Sequence, residues 1–181
     1  MRTLIDTQEL SYELKKVIHD VPDFPKKGII FKDITPLLMD GFLFQKTIQF
    51  FFNRWQDEVL DAIVTIESRG FFLGAPLAAQ LGVGLIPVRK KGKLPRKTRK
   101  VSYQLEYGTD HLEIHEEDLK RLRHVLVVDD VLATGGTVSA VIQLLEEAGC
   151  LIRGIDFLME LTFLKGREKL KNHPVFSLLQ Y

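Results

Sequence analysis

The sequence has a single cysteine, no excess of charge and neither of the common nucleotide-binding glycine motifs. Cys150 cannot form a disulfide within the chain, which suits a reducing compartment. It follows Gly149 at the end of a helical pattern, so we expect a buried core residue rather than a reactive thiol. Lys and Arg total 25 against 24 Asp and Glu, so no net charge attracts the chain to nucleic acid or to an anionic membrane. Any electrostatic function must therefore be local.

Signals for targeting or membrane insertion are also lacking. The first 20 residues carry four acids and an apolar helical stripe, unlike a secretory or organellar leader. The longest uncharged run, 71–88, contains two prolines and three glycines, which divide it into a short helix and a strand. We therefore expect a cytoplasmic chain that does not contact a membrane.

Strand and helix patterns alternate along most of the chain. Continuous apolar runs separated by helices are typical of buried parallel strands. The expected strands lie at 62–66, 84–88, 124–130 and 152–160, and the expected helices near 8–20, 43–58, 71–81, 137–148 and 166–171. The sequence predicts an α/β fold: a doubly wound, mainly parallel sheet flanked by helices. In such sheets ligands bind beyond the carboxyl ends of the strands.

One segment at such a strand end predicts chemistry, VLVVDDVLATGGT at 125–137. A buried strand ends in two acids, Asp129 and Asp130. The loop that follows is small and hydroxylated and opens a helix, an arrangement that binds phosphate through backbone N–H groups. The loop residues are Ala133, Thr134, Gly135, Gly136 and Thr137.

Two carboxylates beside a phosphate loop repel a bare phosphate, so their ligand must also bring hydroxyls or a metal. A ribose 5-phosphate brings phosphate for the loop and hydroxyls for the acids. The alternative is a purely structural strand–turn–helix with a helix cap and exposed acids. The sequence contains neither G-x-x-x-x-G-K-[ST] nor a G-x-G-x-x-G after a strand.

The 125–137 segment resembles the 5-phosphoribosyl-1-pyrophosphate (PRPP) motif of the type I phosphoribosyltransferases. Further ordered matches resemble the branch of that family whose base is adenine: PDFPKKGIIFKDITPLL, ESRGF (67–71), RKKGKLP (89–95), YQLEYG (103–108) and ELTFLKGREKL (160–170). The resemblance implies a purine salvage enzyme that makes AMP and pyrophosphate from adenine and PRPP. It also implies a single domain over 1–181, with a small N-terminal hood at about 1–36 and a core at about 37–181.

The resemblance assigns pyrophosphate binding to Arg69, Arg89 and Lys93, with Arg69 also catalytic. Arg suits a bidentate phosphate contact; the plainer alternative for Arg69 is an ion pair with a surface acid. Family members often have a non-proline cis peptide in this loop, which we expect at Ser68–Arg69. The run 89–100 holds eight basic residues, and the role of Lys97, Arg99 and Lys100 stays open, with solvation as the default.

The resemblance makes Glu106 and Tyr107 catalytic residues of a lid over the reacting centre. The alternative for both is a β-hairpin with exposed side chains. It assigns adenine binding to the backbone at Ile30 and Lys32 and to stacking by Phe31, although Phe31 taken alone is more often a core residue.

The resemblance also implies a homodimer and Mg²⁺, carried by PRPP rather than by direct protein ligands. His111 and His115 lie four residues apart, and without further ligands we expect both to be solvated. Two alternatives stay open: a transferase for hypoxanthine or guanine, and a regulator that binds PRPP without turnover. A regulator of that type usually adds a DNA-binding domain, for which we expect no room here.

Overall fold

A computed structural model describes residues 5–104 and 109–181. The chain divides into two compact units, Met1–Gln56 and Asp57–Tyr181. The single-domain organisation, with a hood at about 1–36 and a core at about 37–181, stays a prediction. No helix in the described part is both long and apolar enough to cross a membrane.

The first unit contains three helices and a two-stranded hairpin. Its elements are α1 (Thr7–Val17), β1 (His19–Pro22), β2 (Ile30–Asp33), α2 (Thr35–Met39) and α3 (Gly41–Trp55). Helix α1 begins after Asp6, whose carboxylate accepts a hydrogen bond from the backbone N–H of Gln8 at 2.7 Å. The predicted helix at 8–20 ends early, because Ile18 is extended and the chain continues into β1. Strand β1 pairs antiparallel with β2.

The aromatic stripe of α3 packs largely as predicted. Ile48, Phe51 and Trp55 are buried, whereas Phe44 and Phe52 on the same stripe are only partly buried. Asp40 caps the helix, since its carboxylate accepts a hydrogen bond from Leu43 N at 2.9 Å.

The second unit is a seven-stranded sheet in the order β5-β6-β4-β3-β7-β8-β9. Strands β3, β4, β7, β8 and β9 are parallel, and β5 and β6 add an antiparallel edge. The strands are β3 (Ala62–Ile66), β4 (Gly84–Lys90), β5 (Thr98–Gln104), β6 (Thr109–His115), β7 (His124–Leu132), β8 (Leu151–Glu160) and β9 (Val175–Gln180). The helices are α4 (Gly70–Leu81), α5 (Glu116–Leu119) and α6 (Gly136–Glu147). The predicted mainly parallel α/β sheet flanked by helices is confirmed.

Strands β3 and β7 form the centre of this sheet. Every residue of β3 is buried, as expected for an AIVTI run with helices over it. Two 3₁₀ turns, Thr162–Leu164 and Gly166–Leu170, join β8 to the segment before β9. Cys150 is 7% exposed, which confirms the prediction of a core residue, and burial raises the pKa of its thiol.

Candidate active site

The carboxyl ends of β3 and β7 bring Arg69 against the acid pair. Arg69 lies in the turn after β3, and its Nε is 2.8 Å from Oδ2 of Asp130. Asp130 is only 3% exposed. This is an ion-pair distance, yet Oδ2 is a buried acceptor for which the described residues supply no hydrogen bond. Arg69 therefore pairs with a buried acid near the end of β7.

Asp129 lies beneath the first turn of α4. A side chain at Gly70 would place its Cβ 2.6 Å from Oδ1 of Asp129 and 3.2 Å from the carbonyl of Val128, so only glycine fits there. The same Oδ1 accepts a hydrogen bond from the N–H of Asp130 at 2.9 Å. The two carboxylates are thus packed, rather than exposed as the purely structural alternative required.

Burial and mutual repulsion disfavour the ionised form of these acids. Burial raises the pKa of Asp129 well above its ordinary range, and the charge of Asp130 raises it further. Burial also raises the pKa of Asp130, although the guanidinium of Arg69 opposes that shift. A pair that stays costly to ionise in the folded protein is common at sites that bind or react with a ligand.

The predicted phosphate loop leads from β7 into α6. Gly135 has a φ of 74°, a left-handed conformation that favours glycine, and α6 begins at the next residue. No side chain in the described chain caps this helix. Its first backbone N–H groups therefore remain available for an anion.

Glu67, a buried glutamate that the sequence did not mark as a site residue, accepts hydrogen bonds from the two other predicted pyrophosphate residues, Arg89 and Lys93. Glu67 is 6% exposed in its side chain. Its carboxylate accepts hydrogen bonds from Arg89 Nε at 2.9 Å, from Lys93 Nζ at 2.9 Å and from the N–H of Lys90 at 3.0 Å. Burial alone would raise the pKa of Glu67, but these three donors together hold it below its usual value. Its position directly after the apolar run of β3 was the available signal.

The non-proline cis peptide expected in this loop occurs one bond earlier than predicted. It joins Glu67 to Ser68, and the expectation at Ser68–Arg69 was wrong. Neither residue is proline, so the residue types give no indication of which bond is cis.

The basic run is largely neutralised by acids. Lys97 Nζ lies 3.0 Å from Glu116, and Lys100 Nζ lies 3.2 Å from Glu113, which is 3% exposed. Arg96 contacts Asp118 at 2.8 Å. Lys97 and Lys100 therefore have ion-pair partners rather than solvent alone.

The predicted adenine residues lie on β2 of the first unit. Ile30 is 55% exposed, and Phe31 packs edge-to-face on Phe24 with ring centroids 5.1 Å apart. Lys32 Nζ pairs with Asp20 at 2.6 Å. Glu106 and Tyr107, the predicted lid residues, lie outside the described residues.

Of the two histidines predicted to be solvated, His111 and His115, one is buried. His115 is 7% exposed, so the prediction that it is solvated was wrong: it ends β6, where Thr98 of β5 is its partner in the ladder. His111 is partly buried and lies 2.9 Å from Ser102 Oγ through its Nδ1. Among residues 5–104 and 109–181, no three His, Cys, Asp or Glu side chains are grouped to hold a metal.

Comparison with known proteins identifies the family. The phosphoribosyl transferase domain family matches residues 43–175. An adenine phosphoribosyltransferase of Roseiflexus sp. (strain RS-1) is 54% identical over 172 residues, covering 95% of this chain and 100% of that protein. The chain belongs to the adenine phosphoribosyltransferase family.

Solved structures of the family have the same fold. The adenine phosphoribosyltransferase of Thermoanaerobacter pseudethanolicus is 49% identical, with a TM-score of 0.88 over 94% of this chain and 99% of that one. The Saccharomyces cerevisiae enzyme, solved with adenine and an imino-altritol bisphosphate, is 44% identical, with a TM-score of 0.89 over 95% and 99% of the two chains. The relatives match over nearly their whole length, so the likeness is not confined to the PRPP motif.

Proposed function

We propose that the carboxyl edge of the sheet in the second unit binds PRPP. The observation that carries this proposal is the convergence of three features there: the adjacent acids Asp129, partly buried, and Asp130, buried; Arg69 at 2.8 Å from Asp130; and the uncapped helix start after Gly135. The acids suit the ribose hydroxyls, Arg69 suits the pyrophosphate, and the helix start suits the 5′-phosphate.

The reaction is that of the family. The chain transfers the 5-phosphoribosyl group from PRPP to N9 of adenine, giving AMP and pyrophosphate, and it serves purine salvage. Carbon C1 of the ribose loses its bond to pyrophosphate as N9 forms the new one, and positive charge develops on the sugar. The proton of N9 leaves the base as the new bond forms, and the protein contributes chiefly by orienting the reactants and by stabilising the charge of the leaving group.

We assign the 5′-phosphate to the loop of five residues after β7. Backbone N–H groups donate to its oxygens, and the hydroxyls of Thr134 and Thr137 add donors. The loop consists of Ala133, Thr134, Gly135, Gly136 and Thr137.

We assign the ribose hydroxyls to Asp129 and Asp130, and the pyrophosphate to Arg69, Arg89 and Lys93. In the free protein Arg69 covers Asp130. A turn of Arg69 towards the pyrophosphate would expose the carboxylate of Asp130 to the ribose hydroxyls. One substrate could then satisfy both groups, including the buried oxygen that lacks a hydrogen-bond donor.

Magnesium is assigned to the substrate rather than to a protein cage. The acids present fit a Mg²⁺-carrying ligand, since they offer hard oxygens and Mg²⁺ usually keeps several waters beside substrate phosphates. When bound, Mg²⁺ supplies positive charge for the departing pyrophosphate. Arg69, Arg89 and Lys93 add to that charge from the protein.

We assign base recognition to β2, with the backbone of Ile30 and Lys32 reading adenine and Phe31 stacking on it. Phe31 already makes an aromatic contact with Phe24, and the edge of β2 at Ile30 is exposed. The relative from Saccharomyces cerevisiae was solved with adenine, which supports adenine as the base here.

Glu106 and Tyr107 are proposed as catalytic lid residues. A Glu beside the reacting centre would accept the proton of N9 or balance charge in the transition state. If so, Glu106→Gln lowers kcat more than it raises KM. A loss of about 10²–10⁴-fold in kcat indicates proton transfer, and one near tenfold indicates charge balance. Glu117→Gln, which changes a 72% exposed side chain, is the matched control. Unchanged kinetics of Glu106→Gln would remove the residue from the mechanism.

We further propose a cytoplasmic homodimer. Phe72 at the start of α4 and Leu85 on β4 are 48% and 39% exposed, and apolar side chains of this size favour cover by another chain. Sedimentation of the purified protein at several concentrations tests the dimer.

A single assay tests the proposed reaction. The purified chain is mixed with PRPP and Mg²⁺ and with adenine, hypoxanthine or guanine in turn, and both pyrophosphate and the nucleotide product are measured. We expect AMP and pyrophosphate in equal amounts with adenine, and no turnover once a chelator removes the divalent cation. Turnover with hypoxanthine but not adenine would contradict the base assignment, and PRPP binding without turnover would indicate a regulator.

A further inference from the structure

Gly166, outside every site assignment above, lies against the phosphate loop. A Cβ placed on Gly166 would be 2.1 Å from the carbonyl oxygen of Ala133 and 2.9 Å from the backbone nitrogen of Gly135. In return, a Cβ on Gly135 would be 2.5 Å from the carbonyl oxygen of Gly166. The two backbones are therefore in direct contact, at a separation that only two glycines permit. The loop takes its shape partly from this second segment.

The Gly166 segment is itself fixed by an ion pair between the half-exposed Arg167 and a buried acid. Glu160, the last residue of β8, is 4% exposed. Its two carboxylate oxygens each lie 3.1 Å from Nε of Arg167, and one accepts a hydrogen bond from Ser177 at 3.0 Å. A second guanidinium nitrogen of Arg167 donates to the carbonyl of Val175 at 2.8 Å. Arg167 thus ties the residue next to Gly166 to the ends of two strands.

Backbone bonds connect the same segment to β7. Leu161 N donates to the carbonyl of Leu132, the residue before the loop, at 2.9 Å. Lys165, with a φ of 53°, turns the chain so that Gly166 follows. The segment is therefore anchored on both sides of the contact with the loop.

We propose that Gly166 is a positioning residue for the phosphate loop, held in place by the Glu160–Arg167 ion pair. It fixes the backbone between Ala133 and Gly135 in the arrangement that presents N–H groups to the 5′-phosphate of PRPP and AMP. This inference rests on the proposed assignment of that loop to the 5′-phosphate. It specifies that Gly166 affects the phosphate monoester and not the pyrophosphate, which is assigned to the side chains of Arg69, Arg89 and Lys93.

The test compares two ligands on one variant. Ribose 5-phosphate probes the loop, and Mg-pyrophosphate probes the basic side chains, each measured by titration calorimetry. For Gly166→Ala we expect ribose 5-phosphate to bind about tenfold more weakly or worse, as when one charge-assisted hydrogen bond is lost. Binding of pyrophosphate should stay at the wild-type value. Gly41→Ala is the matched control, because a Cβ at Gly41 meets nothing within 4 Å, and it should match wild type with both ligands.

A second variant covers the case in which Gly166→Ala does not fold. Arg167→Lys keeps the charge beside Glu160 but loses the planar fork that reaches both Glu160 and Val175. We expect a smaller loss in the same direction, again limited to ribose 5-phosphate.

The outcomes separate this inference from the proposed function. If wild type does not bind ribose 5-phosphate, the assignment of the loop fails. If wild type binds it and the folded variants bind it equally well, Gly166 has no positioning role. Equal losses for both ligands would show a general structural defect and would also overturn the proposal.

Discussion

At the level of a single residue, Asp129 lowers the stability of the folded protein at a position where an acid can bind a ligand. Burial beneath Gly70 and the neighbouring Asp130 make its charge costly, and both raise its pKa. A carboxyl whose pKa is higher in the folded than in the unfolded state destabilises the fold as pH rises through the interval between the two values. At neutral pH the protein therefore carries a destabilising acid at the strand end, as expected where the acid serves a ligand.

Replacement of this acid gives a prediction with two opposite effects. We expect Asp129→Asn to be at least as stable as wild type at pH 8, with the difference shrinking as pH falls towards ~4, where the carboxyl starts to be protonated in the unfolded state as well. Binding of PRPP should weaken by about 1.5–3 kcal/mol, the cost of one hydrogen bond to a charged group. Thermal melts at pH 8 and pH 5 and a PRPP titration measure the two effects. A variant that is less stable at pH 8, or that binds PRPP normally, would contradict this account.

Individual residues differ in how far the sequence could place them. Arg69, Asp129 and Asp130 follow apolar runs, and the carboxyl ends of parallel strands meet at one edge of a sheet, so their proximity was predictable. Glu67 follows such a run too, yet its role depends on Arg89 and Lys93 returning to it from β4 and beyond. Gly166 could not be placed, because a glycine in the sequence does not indicate which other backbone it contacts.

At the level of elements, apolar strands were predicted well and polar ones were not. The prediction for β3 matched at both ends, and that for β7 was two residues short. Strand β5, TRKVSYQ, has no continuous apolar run, and its Lys100 pairs with Glu113 of β6, an acid that only the fold brings near. Strand β9, VFSLLQ, is the exception: it is mostly apolar and lies at the sheet edge, but it was not among the expected strands.

The ion pairs of the basic segment at 89–100 predict its behaviour with nucleic acid. At least five of its eight basic residues have an acidic partner within 4 Å among the described residues: Arg89, Lys93, Arg96, Lys97 and Lys100. Neutralised cations release few counterions from a phosphate backbone, so binding of DNA or RNA should be weak at low salt and lost at physiological salt.

A variant that removes the acids provides the control for this prediction. Replacing Glu116 and Glu117 by Gln and Asp118 by Asn leaves Arg96 and Lys97 without partners, and low-salt binding should then increase. Fluorescence anisotropy with single- and double-stranded probes measures both proteins. Micromolar binding by wild type at physiological salt would contradict the prediction and favour the regulator.

At the level of the whole molecule, the net charge is near neutral, but the pKa values of several acids are shifted in opposite directions. Glu113 and Glu160 have lowered pKa values, as Glu67 does. For Glu113, burial raises the pKa, but the N–H of Gly92 and the charge of Lys100 outweigh it. Asp129 and Asp130 have raised values. Stability should therefore decline on both sides of an optimum, because the first group loses stabilisation as pH falls and the second becomes more costly as pH rises.

Glu160 allows the acid side of this profile to be tested. The hydrogen bonds from Arg167 lower its pKa although burial opposes them, so its stabilisation is complete above the ordinary Glu value and is lost as pH falls through the lower folded value. Glu160→Gln should cost about 1.5–3 kcal/mol at pH 7, since a hydrogen-bonded charge is replaced by a neutral amide. The difference from wild type should shrink as pH falls below ~4, because Glu160 then binds a proton in the unfolded chain and, at still lower pH, in the folded protein. Urea unfolding at pH 7, 5 and 3.5 measures the trend, with Glu117→Gln as an exposed control. A difference that stays constant over this range would show that the side chain stabilises by packing rather than by charge.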